Sequence, residues 1–238
     1  MRNLQEFNEK HKGQPIYILG PGTSIYSQNI DRLKNQLVIT VNSGCVAAPW
    51  ATYFVSDDES ICRWSYFDDL ISSETTILLY ENKLANKAAL FQKRAVIFRH
   101  RKGIHIPISY EHNNKKMHLG ETRTSLGTGI MCAIIMGCDK IILLGVDCCR
   151  QNGFRYFWQM PAKECAFPFK VPHRKDGIPV DYFKKCRVQG EISDYDLVDI
   201  SRTWEAFGSA VNKKCKVYNA SPISKVSIFP KILFQDLV

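Results

Sequence analysis

Several clusters of small, hydroxylated or acidic residues stand just past short apolar runs. Gly20-Pro21-Gly22-Thr23-Ser24 follows Ile16–Leu19. Glycines such as Gly20 and Gly22 let a phosphate approach the backbone, and the Thr23 and Ser24 amides and hydroxyls can donate to it. The cluster is neither a Gly-x-Gly-x-x-Gly fingerprint nor a Walker A loop, and a plain tight turn explains the same glycines. Asn42-Ser43 follows Leu37–Val41; the Asn42 amide can read a base or ribose edge, or simply cap a turn. Asp57-Asp58-Glu59 follows Thr52–Val55. These acids can hold a metal or take a hydroxyl proton, although acids and Ser60 also suit a helix N-terminus. Arg123-Thr124-Ser125-Leu126-Gly127 precedes an apolar stretch and has the donors of an anion site. Asp147 ends the run Gly145-Val146-Asp147.

A long aromatic and basic stretch, Cys148–Asp194, leaves the last of these points. It carries Arg155-Tyr156-Phe157-Trp158 and Lys170-Val171-Pro172-His173-Arg174-Lys175. Arg155 and Tyr156 are of the types that clamp phosphates. His173 can act as an acid or base near neutral pH. It competes with His11, His100, His105, His112 and His118, and a loop histidine is commonly just solvated.

Seven short apolar runs must position these clusters: Ile16–Leu19, Leu37–Val41, Thr52–Val55, Thr76–Tyr80, Ala95–Phe98, Ile141–Leu144 and Lys216–Tyr218. Continuous rather than alternating apolar strands indicate a parallel sheet covered on both faces. Between them, Leu4–His11, Asp58–Ile71, Lys83–Gln92, Thr128–Met136 and Leu197–Val211 read as helices, with Thr128–Met136 apolar nearly all round and therefore buried. The pattern predicts an α/β fold, a Rossmann-like doubly wound, mostly parallel sheet with a loop-rich lid. One domain over residues 1–238, with 148–194 as the lid insertion, is the expected organisation. The stretch His105–Thr124 is polar and basic and breaks the alternation.

With 45% hydrophobic and 23% charged residues, the 238-residue chain excludes a disordered, collagenous or coiled-coil protein. Its 32 Lys and Arg against 23 Asp and Glu give a net charge of +9. That balance suits anionic partners, whether nucleotides, nucleic acid or a membrane surface. No run of about 18 apolar residues is present, so no transmembrane segment is expected. The polar start, Met1–Lys10, lacks a secretory apolar core. Nine cysteines without a Cys-x-x-Cys pair suggest a reduced, cytoplasmic protein without zinc. Neither a bound metal nor a tightly bound cofactor is expected, and the residues leave homo-oligomer formation open.

The order of these pieces resembles the superfamily of bacterial lipooligosaccharide sialyltransferases and 6-hydroxymethylpterin diphosphokinase-like proteins. The carrying residues are Gly20–Ser24, Ile30-Asp31-Arg32-Leu33, Val41-Asn42-Ser43, Thr124-Ser125, Met131-Cys132-Ala133, Ile141–Asp147 and Tyr218-Asn219-Ala220-Ser221-Pro222. Gln151-Asn152-Gly153 looks like the sialyltransferase branch, and Ala48-Pro49-Trp50-Ala51 like the short pterin-kinase-like branch found in many phage genomes. The resemblance implies a nucleotide at the carboxyl edge of the sheet. Gly20, Gly22, Thr23, Ser24, Asn42, Ser43, Thr124, Ser125, Gly127 and Asp147 would line its site. It implies a CMP-linked sugar donor, no metal, Tyr156 on the phosphate and His173 as base. Pro21 stands where the sialyltransferases carry Asn, and Tyr182 is the available second lid tyrosine.

Three functions follow as expectations. A nucleotide-sugar-dependent glycosyltransferase would move a sugar to an acceptor hydroxyl, on a glycan or a modified DNA base. A diphosphokinase would need ATP, with Mg²⁺ on Asp57, Asp58 and Asp147. A non-catalytic nucleotide- or nucleic-acid-binding module would need only the basic surface.

Overall fold

The computed structural model describes residues 2–80, 84–101, 118–120, 124–178 and 207–237. Among the described residues nine strands are present: β1 Arg2–Asn3, β2 Pro15–Leu19, β3 Val38–Val41, β4 Tyr53–Ser56, β5 Thr76–Tyr80, β6 Ala95–Arg101, β7 His118–Gly120, β8 Lys140–Leu144 and β9 Lys216–Asn219. They form the order β1-β6-β5-β4-β3-β2-β8-β9, with β7 also beside β6. Every pairing is parallel. The α/β, doubly wound expectation therefore holds, and all seven apolar runs are strands. The short strands β1 and β7, both beside β6, span two and three residues, too few for a periodic signal.

Burial on both faces explains the apolar runs. Ile16, Ile18, Ile39, Val41, Ile141 and Leu143 point into one core, while Tyr17, Leu19, Val38, Ile142 and Leu144 point into the other. The first core is covered by a helix, α2, at Ser125–Ile135, whose sequence is buried almost throughout. Helical residues 207–211 lie over the same side through Phe207 and Val211. A third core under β4 and β5 packs Phe54, Ile77 and Leu79 against a shorter helix, α1, at Tyr66–Ile71.

Local structure departs from the expected helices where tertiary hydrogen bonds compete. Asp58–Ile71 is a tight turn, Glu59–Arg63, followed by α1. The break at Trp64-Ser65 is where the lid backbone docks: Ser65 N donates to His173 O at 2.9 Å, and Lys175 N to Arg63 O at 2.7 Å. Lys83–Gln92 is replaced by tight turns over Ala85–Arg94, with Gln92 at φ 51°. Thr23–Ser27, after the glycine turn, is also one tight turn and not a full helix. Most of Leu197–Val211, most of the stretch His105–Thr124, Arg123, Tyr182 and the part of the lid from residue 179 lie outside the described residues.

Leu4–His11 likewise forms a single turn, Leu4–Phe7, before the chain extends along the end of α2. Glu9, His11 and Gly13 donate their amides to the carbonyls of Ile135, Met136 and Gly137 at 2.9, 2.7 and 2.9 Å. The carbonyls of Ile135 and of the cap residue Met136 are among those that a helix end leaves without a partner. The arm thus fixes α2 from behind, with the helix N-terminus aimed at the carboxyl edge of the sheet. His11 also lies 2.7 Å from the buried Tyr53 hydroxyl.

Burial, helped by the Lys10 charge and opposed by a Gln14 hydrogen bond, holds the His11 pKa below its usual 6.5. As pH falls, the unfolded chain takes up this proton before the folded one does. The stabilising effect is full above pH 6.5 and is lost as pH falls through the folded-state value. Melting temperatures between roughly pH 7.5 and 5 should therefore fall more steeply for the unaltered chain than for His11→Gln. Equal slopes would show that the arm does not sense the proton.

Candidate functional site

The chain runs outward from β2 through β3, β4 and β5 to β6, then returns to place β8 on the other side of β2. The β2–β8 seam is therefore the topological switch point, where open α/β sheets leave a crevice. Here the two strand ends cross in backbone contact. Gly20 N donates to Leu144 O at 2.8 Å, and Gly22 N to Gly145 O at 2.9 Å. A Cβ on Gly22 would sit 2.5 Å from Gly145 O and 2.6 Å from Asp147 Oδ2. Gly145 adopts φ +64°, and a Cβ there would lie 2.2 Å from Gly20 O.

A cavity of about 490 Å³ opens over this crossing. Gly20, Gly22, Asn42, Ser43, Thr124, Ser125, Asp147, Arg155 and Tyr156 all line it. Asn42 stands at φ 50° past the end of β3, and its Oδ1 is buried without a hydrogen-bond partner among the described residues. Thr124 caps α2, its hydroxyl oxygen accepting from Gly127 N at 3.1 Å. Gly127 therefore supports the rim and is not among the lining residues. Ser125 Oγ accepts from Asp57 N at 2.9 Å, and Thr128 Oγ1 donates to Asp57 Oδ2 at 2.7 Å, tying the end of β4 to the start of α2.

Thr23 and Ser24 are placed behind the wall. Both hydroxyls and the Ser24 amide donate to the Asp147 carboxylate, at 3.1, 2.5 and 2.8 Å. Burial raises the Asp147 pKa, while the bonds from Ser24 and Thr23 oppose the rise. The motif around Asn219 secures the same corner. Ser221 Oγ accepts from Val146 N at 2.9 Å, Ser224 Oγ donates to Val146 O at 2.5 Å, and Asn219 Nδ2 donates to Ser224 Oγ at 2.9 Å.

The stretch 148–178 supplies the opposite wall. Phe157 N donates to Pro21 O at 3.1 Å, pressing Tyr156 beside Gly22. Trp158 is nearly fully buried, and its indole N–H donates to Ser43 Oγ at 3.0 Å. Rings of Tyr156 and Trp158 stack at 5.2 Å, Trp158 meets Trp64 edge-on at 5.4 Å, and Trp64 stacks on Tyr66 at 6.1 Å. The Arg155 guanidinium lies 5.3 Å from the Tyr156 ring centre, and that of Arg174 5.9 Å from Trp64. Arg174 is buried and paired with Asp176, whose carboxyl that hydrogen bond lowers to about 2.

His173 is exposed and is not among the lining residues, whereas its neighbours Pro172 and Arg174 are buried. An extended stretch sends alternate side chains to opposite sides, so the residue next to the sequence candidate is the one that reaches the cavity. Trp64, Tyr66, Arg150, Trp158 and Arg174 line the site without having been singled out. Arg63-Trp64-Ser65-Tyr66 is hidden inside what reads as one amphipathic helix. Asp58 also lines the cavity and caps the next turn, accepting from Ser60 N at 2.8 Å and Ser60 Oγ at 2.7 Å. Among the described residues no three His, Cys, Asp or Glu side chains converge as metal ligands would. No described helix is long and apolar enough to cross a membrane.

No protein-family model matches the sequence. No curated protein matches it either. Solved structures do match. The MAf glycosyltransferase from Magnetospirillum magneticum AMB-1 superposes with a TM-score of 0.56 at 13% identity, covering 99% of this chain and 38% of that one. The chain thus spans little more than a third of that glycosyltransferase's length. The sialyltransferase CstII from Campylobacter jejuni, in complex with the substrate analogue CMP-3FNeuAc, gives 0.42 at 15% identity, covering 92% and 86%. A tyrosine-to-phenylalanine variant of Cst-II in complex with CMP gives 0.47 at 14% identity with the same coverage. The fold is thus one that a glycosyltransferase uses, and none of the three is a diphosphokinase.

Gly22→Ala tests the crossing. The added methyl meets backbone and a buried carboxylate, so it should cost about 2 kcal/mol, or roughly 4–8 °C in melting temperature. An unchanged melting temperature would show that the two strand ends are not packed this tightly.

Proposed function

We propose that the chain transfers a sugar from a nucleotide-sugar donor to an acceptor hydroxyl. The observation that carries this reading is the convergence of the β2, β3 and β8 strand ends and the α2 start on one cavity, walled by Arg155, Tyr156 and Arg174. The nucleotide lies over the glycine crossing, with the Asn42 amide and the Thr124-Ser125 rim as its polar contacts. A CMP-linked sugar, as bound by the CstII structure, is the donor we assign. The acceptor oxygen bonds to the anomeric carbon as the bond from that carbon to the phosphate oxygen breaks. The nucleotide leaves with the electron pair. Arg155 and Tyr156 face that growing phosphate charge, with Arg174 beside them, in a partly desolvated site where such contacts act strongly.

The acceptor proton needs a base. His173 was the candidate from sequence, but it is not among the lining residues, whereas Asp58, exposed like it, is. Asp58 is in the lining, close enough to Tyr66 for its charge to disfavour the tyrosinate. We therefore assign the proton to Asp58, with Ser60 holding the carboxylate in place.

A thermal-shift panel of CMP, UDP, GDP, ATP and their sugar conjugates, with and without Mg²⁺, tests the donor. A CMP-sugar at about 100 times its Kd should raise the melting temperature by roughly 5–10 °C, without Mg²⁺. Stabilisation by ATP and Mg²⁺ alone would replace this reading with pyrophosphoryl transfer. No shift from any nucleotide would leave a non-catalytic module.

Asp58→Asn keeps the turn cap and should lower kcat about 100-fold or more, with donor Kd within about twofold. His173→Ala should stay within about threefold of the unaltered chain on the same grounds. The opposite ranking returns the base to His173.

A further inference from the structure

Lys231 lies outside the site and holds a turn behind it. Its backbone runs beside Asn219, where Asn219 N donates to Pro230 O at 2.9 Å and Ile232 N to Asn219 O at 3.2 Å. Its Nζ donates to three backbone carbonyls, those of Ser221, Pro222 and Ser224, at 3.3, 2.9 and 3.0 Å. An ammonium has three protons to give, so all of them are spent inside one turn. The remaining carbonyl of the turn, Ile223 O, takes the Cys149 thiol at 3.3 Å. Carbonyl dipoles turned to one point repel each other, and a cation at that point offsets the repulsion. The turn in its place holds the cavity floor. Ser221 Oγ and Ser224 Oγ grip the amide and carbonyl of Val146, and Lys225 N donates to Asp147 O at 2.8 Å. Val146, Asp147, Cys148 and Cys149 all line the cavity over the strand crossing. Burial raises the Cys149 pKa and Asp147 adds to the rise, while the charges of Lys225 and Lys231 oppose it, so those charges reach a lining residue.

We propose that the turn 221–224 is a monovalent-cation site filled by the chain's own Lys231, and that this built-in cation positions the floor of the donor site. The donor half of the inference rests on the transferase reading. Lys231 is not among the lining residues and acts through Val146 and Asp147, so it is a positioning residue. The chemistry of the turn selects the occupant. Among the described residues no carboxylate pairs with Lys231, and its partners are three neutral carbonyls. Divalent ions such as calcium ask for carboxylates as well. A singly charged ion of the ammonium or potassium kind exchanges its water for carbonyl oxygens alone. A lysine ammonium is a compact charge with rotatable donors and suits such a point, where the planar fork of an arginine does not. Removing the Lys231 side chain should therefore leave a place that a free potassium or ammonium ion can take.

Lys231 is exposed, so its truncation leaves no gap in the core. The test uses the full chain in choline, potassium or ammonium chloride at one ionic strength, so that screening is the same throughout. The probe is the nucleotide sugar that the thermal-shift panel selects. In choline chloride, Lys231→Ala should weaken its Kd at least about tenfold, and potassium or ammonium should bring it back to within about threefold. The unaltered chain should not distinguish the three salts. Lys231→Met lacks the charge but fills the room with its own chain, so it should bind as weakly and stay weak in potassium. Hydrogen exchange of Lys231→Ala in choline should quicken over residues 143–149 and 220–226, slow again in potassium, and leave 76–80 unchanged. A Kd in choline within about twofold of the unaltered chain's would show that Lys231 does not position the floor. A loss that neither cation restores, or that potassium restores equally in Lys231→Met, would overturn the cation site. Faster exchange throughout the chain would reduce Lys231 to a fold-stabilising residue. If no nucleotide sugar binds the unaltered chain, the transferase reading falls, while potassium-dependent exchange at 220–226 still decides the cation site.

Discussion

Two backbones touch at the centre of this molecule, and much of the site is arranged around that contact. The end of β2 and the end of β8 cross so closely that Gly20, Gly22 and Gly145 leave no space for a side chain. The crossing does two things at once. It continues the sheet hydrogen bonding past the last strand residues through Gly20 and Gly22. It also places a small-residue floor where a bulky ligand group can approach the chain. A buried carboxylate would be costly beside such a crossing without partners. Asp147 has them in Thr23 and Ser24, so the hydroxyls after the glycine turn spend their donors inside the protein.

That arrangement shifts recognition from the glycine turn to the surrounding rim. The segment after Gly22 is one tight turn, too short to present a helix dipole. The full-length helix at the site is α2, and its position is fixed at both ends. The N-terminal arm holds its last carbonyls, and Asp57 holds Ser125 and Thr128 at its start. Positive charge comes from arginines of the lid, kept in place by aromatic stacking on Trp64 and Tyr156. Trp158 anchors that aromatic wall by its hydrogen bond to Ser43. Ser43 thus contributes through Trp158 and not by a free hydroxyl.

Strands and cavity floor were readable because parallel strands leave a strong signal: short apolar runs that end in small polar residues. Gly20, Asn42 and Asp147 follow from that rule alone, and Thr124 from the donors expected at the start of a buried helix. Helices were less readable because their competitors are tertiary. Nothing local in Arg63-Trp64-Ser65-Tyr66 announces that the lid will pair with it and split a helix in two. Arg174 was missed for a related reason. Titration chemistry draws attention to His173, yet an extended strand lets only every second residue face inward, and the register comes from pairing with Ser65. The short strands β1 and β7, of two and three residues, carried no periodicity to detect.

The pairing of 172–175 with 63–65 also gives the lid a reason to exist in this form. A loop that only covered the first cavity could fold in many ways. One that pairs with the break before α1 must face two directions, because its residues alternate. Arg174 then meets the first cavity and Pro172 a second one, of about 460 Å³, with Tyr66 between them. A displacement of this short pairing would change both cavities together.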